Sequence, residues 1–270
     1  MKVMTLNTHS WMEENPLNKL SEIATWIANQ EIEIIALQEI NQLISTPTVE
    51  PDDYFCSLAD QAAIHEDNFA YLLVEELAKL GVHYYWSWTY AHVGYDIYEE
   101  GLAILAKSPL QASAFIASIE KDPHKLARKQ LLAQLNSSLG TLTVLSGHYS
   151  WAGVDGFDYE WQQTVEQLKE QTTPLLLMGD FNNPANTREH QMILDSSLQL
   201  KDAFLASSNK EGEHTVVKAI DGWSENTQKL RIDYVFLDKM FHVKQYKVIF
   251  DGKKQPMVSD HAGLLVEFSK

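Results

Sequence analysis

Short apolar runs dominate the hydrophobic pattern of this chain, and they have the length expected of buried strands. Strands are predicted at residues 2–7, 33–38, 83–90, 101–106, 130–136, 142–148, 175–180, 231–237 and 261–268. Residues 137–140, which join two of these runs, are typical of a hairpin turn. The pattern therefore predicts a chain rich in strands, several of them linked directly.

Three other segments show the 3.6-residue spacing of amphipathic helices. The first begins at Asn15, a predicted N-cap, and at Pro16, which suits the first helical position. The second spans residues 68–81, where Gly81 predicts the C-terminal stop, and the third spans 157–171. With few helices and many strands, we expect packed sheets with helices outside them rather than a strictly alternating parallel fold.

The rest of the sequence predicts no further helix or strand, but it does indicate a cellular compartment. Residues 41–67 are acidic and irregular, and no predicted element accounts for them. No window approaches the roughly 20 apolar residues of a membrane span, and polar residues 7–9 interrupt any signal-peptide core near the start. A single cysteine, Cys56, excludes an intrachain disulfide and fits a reducing compartment. We therefore expect a cytoplasmic protein without a transmembrane segment.

Polar residues with oxygen or nitrogen ligands stand where several predicted core strands end. They are Asn7, Gln38, Glu39, His148, Asp180 and Asn182, together with Asp233 inside its strand and Asp260 and His261 just before the last strand. One such strand end is ordinary turn chemistry, because Asp, Asn, Gly and Pro end strands for conformational reasons. Repeated along the chain, these ends indicate a site for a hard cation and a phosphate.

These residues resemble the motifs of the endonuclease/exonuclease/phosphatase superfamily, which includes deoxyribonuclease I-like enzymes, AP endonucleases, neutral sphingomyelinases and inositol polyphosphate 5-phosphatases. The motifs are Asn7, LQE at 37–39, GDFN at 179–182, IDYVFL at 232–237 and SDH at 259–261, in the expected order. GDFN followed by a terminal SDH is a strong joint signal, although each motif alone is weak. The resemblance implies an α+β four-layer sandwich, in which two packed mixed β-sheets are flanked by helices, and a single catalytic domain over residues 1–270.

The resemblance also implies a cation site and a catalytic group. Glu39 is the expected main ligand of Mg²⁺ or Mn²⁺, with Asn7 and Asp260 close to it, because these cations prefer oxygen ligands. Asp180 and Asn182 are expected to position or deprotonate the attacking water.

The expected phosphate contacts are two histidines. His261 is expected to contact the scissile phosphate, with Asp233 holding its tautomer. His148 is expected to be a second phosphate-binding imidazole, which places the chain nearer the deoxyribonuclease and sphingomyelinase-type branches than the AP endonucleases. Glu100 is the expected partner of His148, and Glu99 competes for that role because strand alternation turns only one of them inward. The remaining candidates, His9, His83 and His92, are interpreted as surface or satisfied residues.

Substrate contacts are predicted from residues near these strand ends. Trp151 follows His148 by three residues, Tyr95 precedes Glu100, and Arg128 precedes a core strand. A weaker case is made for Trp11, Tyr98 and Trp223. The basic segment 124–129 is also compatible with a solvated loop, so the role of Arg128 as a substrate contact stays open at this point.

Net charge decides between the functions that such a site allows. The formal charge of −16 opposes binding to a nucleic-acid backbone, which normally requires a basic surface. We therefore predict a monomeric, metal-dependent phosphodiesterase or phosphatase acting on a small-molecule or lipid-headgroup phosphoester. The alternatives are a deoxyribonuclease-like endonuclease or exonuclease and a non-catalytic interaction module with the same fold. All the motif residues are present, which argues against the interaction module.

Overall fold

The structure is a computed structural model that describes residues 1–217, 220 and 225–270. Trp223 therefore lies outside the described residues. Numbered along the chain, the helices are α1 (Pro16–Ala28), α2 (Phe69–Lys79), α3 (Tyr159–Leu168), α4 (Arg188–Leu194) and α5 (Ala203–Ala206). None of the described helices is both long enough and apolar enough to cross a membrane.

Two large mixed sheets carry most of the strands. In spatial order the first contains β12 (Lys210–Glu211), β14 (His242–Ile249), β15 (Gly263–Ser269), β1 (Lys2–Asn7), β2 (Ile34–Leu43), β6 (Tyr98–Ala106) and β5 (Tyr85–Gly94). The second contains β11 (Leu200–Asp202), β13 (Asp233–Asp238), β10 (Leu175–Asp180), β9 (Gly140–His148), β8 (Lys129–Ser137) and β7 (Leu110–Ile116). A small hairpin pairs β3 (Thr48–Val49) with β4 (Ile64–His65).

The sheets pack face to face because each central strand is apolar on both faces. On β1, Val3 belongs to the core between the two sheets, whereas Met4 packs under the first helical layer with residues of α1 and α2. On β9, Val144 faces the inter-sheet core and Leu145 faces α3. This alternation yields two sheets between two helical layers, so the predicted α+β four-layer sandwich is confirmed.

Most predicted elements are present, with informative differences at their ends. Helix α1 begins at Pro16, but the preceding Asn15 adopts a left-handed conformation and makes no side-chain capping hydrogen bond. At α2 the unpredicted cap is Asn68, whose side chain accepts hydrogen bonds from the backbone N–H groups of Ala70 and Tyr71. The expected hairpin joins β8 to β9. The sequence analysis missed β3, β4, β7, β11, β12, β14, α4 and α5.

The second predicted strand is the most important difference. We expected it to end at Glu39, but β2 continues to Leu43. Between Leu37 and Ile40 two residues of β2 stand opposite one residue of β6, which is the pattern of a β-bulge. Glu39 lies in this bulge with a φ of 53°, a left-handed conformation that is uncommon for a residue other than glycine.

Candidate active site

The polar strand ends meet at one edge of the inter-sheet layer. Asp180 is paired in register with His148 on one side and with Asp233 on the other. Because directly paired residues project to the same face, these three side chains form a row across β9, β10 and β13. The row continues the inward-facing residues of the apolar core, since Met178 precedes Asp180 by two positions. The inward-facing positions of these strands are therefore apolar within the core and ionisable at its end.

The β2 bulge brings Glu39 to this edge. Normal alternation would place the consecutive residues Gln38 and Glu39 on opposite faces of β2. Instead, Gln38 Nε2 donates to Ser146 Oγ on the second sheet at 3.0 Å, and Glu39 Oε1 accepts from Asn7 Nδ2 at 2.8 Å. Both side chains therefore reach the inter-sheet side, and the bulge is the local feature that permits it.

Asn7 connects carboxylates of the two sheets. Its Nδ2 donates to Glu39 Oε1 and also to Asp180 Oδ2, at 3.2 Å. Its Oδ1 accepts from the backbone N–H of His9 at 3.1 Å. The amide nitrogen, rather than the oxygen, thus faces the carboxylates in this structure.

Glu39 and Asp260 form the oxygen-rich part of the site. Burial raises the pKa of Glu39, and the negative charge of Asp260 raises it further. A carboxylate whose ionisation is disfavoured by burial and by a neighbouring negative charge fits a divalent cation, which relieves both effects. With oxygen donors and no thiolate, the set suits Mg²⁺ or Mn²⁺ better than Zn²⁺. The donor chemistry therefore matches the expected cation.

His9 is a site neighbour that the sequence analysis treated as a surface or satisfied residue. Its Nδ1 lies 2.8 Å from Glu13 Oε1 and 3.7 Å from Asp260 Oδ1, and ligand atoms of these three residues lie within 4.8 Å of one another. Burial lowers the pKa of His9, but Glu13 and Asp260 outweigh burial and raise it to about 9. His9 is therefore a cation beside Asp260. Its only sequence signal is its position two residues after Asn7.

Asp180 is the centre of the site. Its Oδ1 accepts from the backbone N–H of Asn182 at 2.8 Å, and Asn182 Nδ2 donates to the Tyr149 carbonyl at 2.9 Å. Its Oδ2 lies 3.6 Å from His148 Nε2 and 3.9 Å from His261 Nε2. Burial raises the pKa of Asp180 to about 7, and the charge of Asp233 contributes in the same direction.

Asp233 contacts the ring of His261 on the side away from Asp180. His261 Nδ1 and Asp233 Oδ2 are hydrogen-bonded at 2.9 Å, and Nε2 points towards Asp180. Burial lowers the pKa of His261, but the charges of Asp233 and Asp180 outweigh it and hold the pKa well above its ordinary value. Ligand atoms of these three buried residues also lie within 4.8 Å of one another, which is a second candidate metal-binding group.

His148 faces both Asp180 and Glu100. Its Nε2 lies 3.9 Å from Glu39 Oε1, and its Nδ1 lies 4.0 Å from Glu100 Oε1. Glu100 lines the pocket, whereas Glu99 accepts from Gln42 Nε2 at 2.6 Å, so alternation turns Glu100 inward. His92, which the sequence analysis interpreted as satisfied, is also in the pocket wall, with Nε2 3.6 Å from Glu100 Oε1.

These groups open into a pocket of about 390 Å³. Its wall includes the three predicted substrate contacts Trp151, Tyr95 and Arg128, and also His124, Lys125 and Leu126. Trp11 has a different role, since its Nε1 donates to backbone carbonyls of Asn41 and Asp67 and its ring packs edge-on against Phe69. The ring of His83 stacks on Tyr54.

The chain matches the Endonuclease/Exonuclease/phosphatase family over residues 10–261. The match covers more than half of the chain, so the chain belongs to this family. Members of the family are mostly hydrolases that act on phosphoesters. No curated protein sequence matches the chain.

Solved structures place the chain among proteins of the same fold. An endonuclease/exonuclease/phosphatase family protein from Leptotrichia buccalis C-1013-b is 31% identical, with a TM-score of 0.87 and full coverage of both chains. A mannosyl-6-phosphatase from Bacteroides thetaiotaomicron VPI-5482 is 15% identical (TM-score 0.65, full coverage of both). A 3' phosphatase from Neisseria, bound to a product DNA hairpin, is 20% identical (TM-score 0.63, full coverage of both). At these lower identities the likeness concerns the fold alone.

Proposed function

We propose that this chain is a divalent-metal-dependent phosphoester hydrolase that acts on a small or lipid-derived phosphodiester or phosphomonoester. The observation that carries the proposal is the convergence on Asp180 Oδ2, which lies within 4 Å of Asn7 Nδ2, His148 Nε2 and His261 Nε2. A carboxylate oxygen that faces two imidazoles in a pocket is arranged to hold a water beside a bound phosphate. Residues 1–270 act as one catalytic domain in this proposal.

The side chains divide the reaction between them. Asp180 accepts a proton from the attacking water, and the Asn182 backbone N–H holds the carboxylate in position through Oδ1. His261, oriented by Asp233, and His148 contact the phosphate oxygens whose charge grows in the transition state. A Mg²⁺ or Mn²⁺ ion held by Glu39 and Asp260, with Asn7 positioning Glu39, would supply further charge neutralisation at the phosphate when bound.

The small-substrate class follows from charge and from pocket shape. The chain carries a net charge of −16, which repels a polyanion at long range. A phosphoester with a few charges can be neutralised within the pocket, and Trp151 and Leu126 offer apolar contact to the rest of the molecule.

A panel of phosphoesters tests the proposal. Purified protein is assayed with bis-p-nitrophenyl phosphate, p-nitrophenyl phosphate, sphingomyelin, inositol phosphates and plasmid DNA, each with Mg²⁺, Mn²⁺ or EDTA. We expect hydrolysis of a small or lipid ester that EDTA abolishes. Full activity in EDTA contradicts the mechanism, and plasmid DNA as the best substrate replaces the small-ester class with a nuclease.

A matched pair of variants locates the cation. Glu39→Gln is expected to raise the metal concentration needed for half-maximal activity on the order of 10-fold or more. Glu99→Gln is the control, because Glu99 bonds to Gln42 instead of facing the pocket. Equal metal requirements in the two variants would remove Glu39 from the cation site.

A further inference from the structure

Arg128 is a buried cation that forms no ion pair with another residue in the described part of the chain. Only 7% of the residue is exposed, and its Nε atom is buried with no hydrogen-bond partner among the described residues. Its guanidinium forms no ion pair with any described carboxylate within 4.0 Å. Because arginine stays protonated in proteins and a buried unpaired charge is costly, such a group favours an anion that arrives from outside.

Hydrogen bonds hold the backbone on both sides of this side chain. The Arg128 N–H donates to Ser118 Oγ at 2.8 Å, and the Arg128 carbonyl accepts from Ala117 N, also at 2.8 Å. The same loop is attached to β5 by a hydrogen bond from Val93 N to the Pro123 carbonyl at 2.7 Å. Because its backbone is held and the residue is buried, Arg128 is a preorganised charge rather than a mobile surface group.

Arg128 lies on the opposite side of His148 from the carboxylates of the proposed cation site. A small cavity beside it is lined by His92, Glu100 and His148, but not by Glu39, Asp180 or Asp260. His148 presents Nε2 to Asp180 and Glu39 and Nδ1 to Glu100. Arg128, Lys125 and His124 also line the main pocket.

We propose that Arg128, with Lys125 and His124 of the same loop, forms a second anion-binding subsite, and that the substrate carries an anionic group besides the phosphoester that is hydrolysed. This inference rests on the proposed function. The second group is a phosphate or a carboxylate, since the planar guanidinium recognises either through paired hydrogen bonds. The substrate class is therefore a small phosphoester with two anionic ends.

The division of charge supports this class. In the proposed function the phosphoester to be hydrolysed is served by Asp180, His261 and His148, and Arg128 has no part in that reaction. Lys125 Nζ is 3.2 Å from Glu120 Oε2 and 65% exposed, so it adds only a weak, screened attraction at the mouth. Arg128 is the group expected to set affinity for the second anion.

Three phosphorylated six-carbon ligands, two of them cyclic and the third an open chain, test the subsite. Glucose 6-phosphate has one anionic group, glucose 1,6-bisphosphate adds a phosphate, and 6-phosphogluconate adds a carboxylate. Their inhibition constants are measured against the chromogenic ester that the protein hydrolyses, at constant ionic strength and constant free Mg²⁺. We expect the doubly anionic ligands to bind about 10-fold or more tighter than glucose 6-phosphate, the scale of a charge-assisted hydrogen bond. The stronger of the two identifies the second group.

Variants assign the preference to Arg128. Arg128→Met is expected to reduce the ratio between doubly and singly anionic ligands to near one, Arg128→Lys to restore part of it, and Lys125→Met to reduce it about 3-fold or less. Lys121→Met, on the same loop but not in the pocket wall, is the control. Thermal melting checks that each variant is folded.

The results separate the subsite from the proposed function. Equal weakening of all three ligands by Arg128→Met overturns the subsite, because Arg128 then serves the phosphoester itself or the fold. A short DNA oligonucleotide that binds more tightly than the bisphosphate also overturns it, since the second anion is then a backbone phosphate. Calorimetric titration of the same ligands needs no turnover, so it decides the subsite even if no ester is hydrolysed and the proposed function fails.

Discussion

His261 and His148 approach the same aspartate, but different charged groups stand behind the two rings. Both rings are buried, and their Nε2 atoms lie 3.9 and 3.6 Å from Asp180 Oδ2. Burial lowers the pKa of each. For His261 the charges of Asp233 and Asp180 outweigh burial and raise the pKa, whereas for His148 the charge of Arg128 adds to burial and lowers it further.

The difference shows that residue type does not define a role in this site. The group behind the ring determines whether the imidazole is a fixed cation or a neutral hydrogen-bonding group. A carboxylate at 2.9 Å stands behind His261, while the carboxylate behind His148 is 4.0 Å away and shares its surroundings with a buried arginine. We therefore expect the two histidines to contribute unequally.

Replacing His261 should have the largest effect. His261→Ala removes a cation that acts on the transition state, so kcat and kcat/KM should fall together, by on the order of 10²-fold or more. Steady-state kinetics on the preferred ester measures the loss, and circular dichroism checks the fold. Near-wild-type turnover in a folded variant would remove His261 from the reaction.

Removing the carboxylate behind His261 should cost less. Asp233→Asn keeps a hydrogen-bonding group but loses the charge, and outer partners of this kind typically contribute about 10- to 100-fold. Glu100→Gln is the matched change behind His148 and should cost less than Asp233→Asn. The measurement is kcat/KM for the two variants, and equal losses would contradict the inequality between the histidines.

Replacing His148 should have a moderate effect. A neutral hydrogen-bond donor to the phosphate contributes less than a cation, so His148→Ala should lower kcat/KM by about 10-fold. His148→Gln keeps a donor of similar reach and should recover part of the loss in the same assay. A loss as large as that of His261→Ala would show that His148 is charged or essential in the reaction.

The smallest expected effect is a difference in protonation between the two histidines, which is measured by spectroscopy. In metal-free protein the imidazole of His261 should remain protonated above the ordinary histidine pKa of about 6.5, and His148 should remain neutral below that value. Imidazole ¹⁵N shifts followed against pH in EDTA report both rings, and the two alanine variants assign the signals. If both rings titrate together near pH 6.5, the two histidines do not differ in protonation and the proposed difference between them is wrong.

Many residues of this site could be predicted from the sequence, because side chains along a β-strand alternate between its two faces. Once 142–148 and 175–180 are read as strands, alternation places His148 and Asp180 inward at their ends, and the structure pairs them directly. The same rule distinguishes Glu100 from Glu99 as soon as the neighbouring strand is known.

Other features depend on pairing between distant segments, which a local pattern does not contain. Glu39 was assigned to a strand end, because nothing in a glutamate signals a left-handed bulge in the middle of β2. His92 reaches the pocket only because β5 is paired with Glu100 of β6, with its own irregularity between Tyr90 and His92. Strand β7 was missed because its small and polar residues lack the apolar content of a core strand.

The contacts of Asn7 make the geometry of the site depend on the relative position of the two sheets. One amide nitrogen spans from Glu39 on the first sheet to Asp180 on the second, at 2.8 and 3.2 Å. A slide of one sheet over the other by about an ångström would stretch or break one of these bonds, a misplacement that can cost on the order of 10²-fold in rate. Substitutions deep in the inter-sheet core, far from the pocket, should therefore slow the reaction before they unfold the protein.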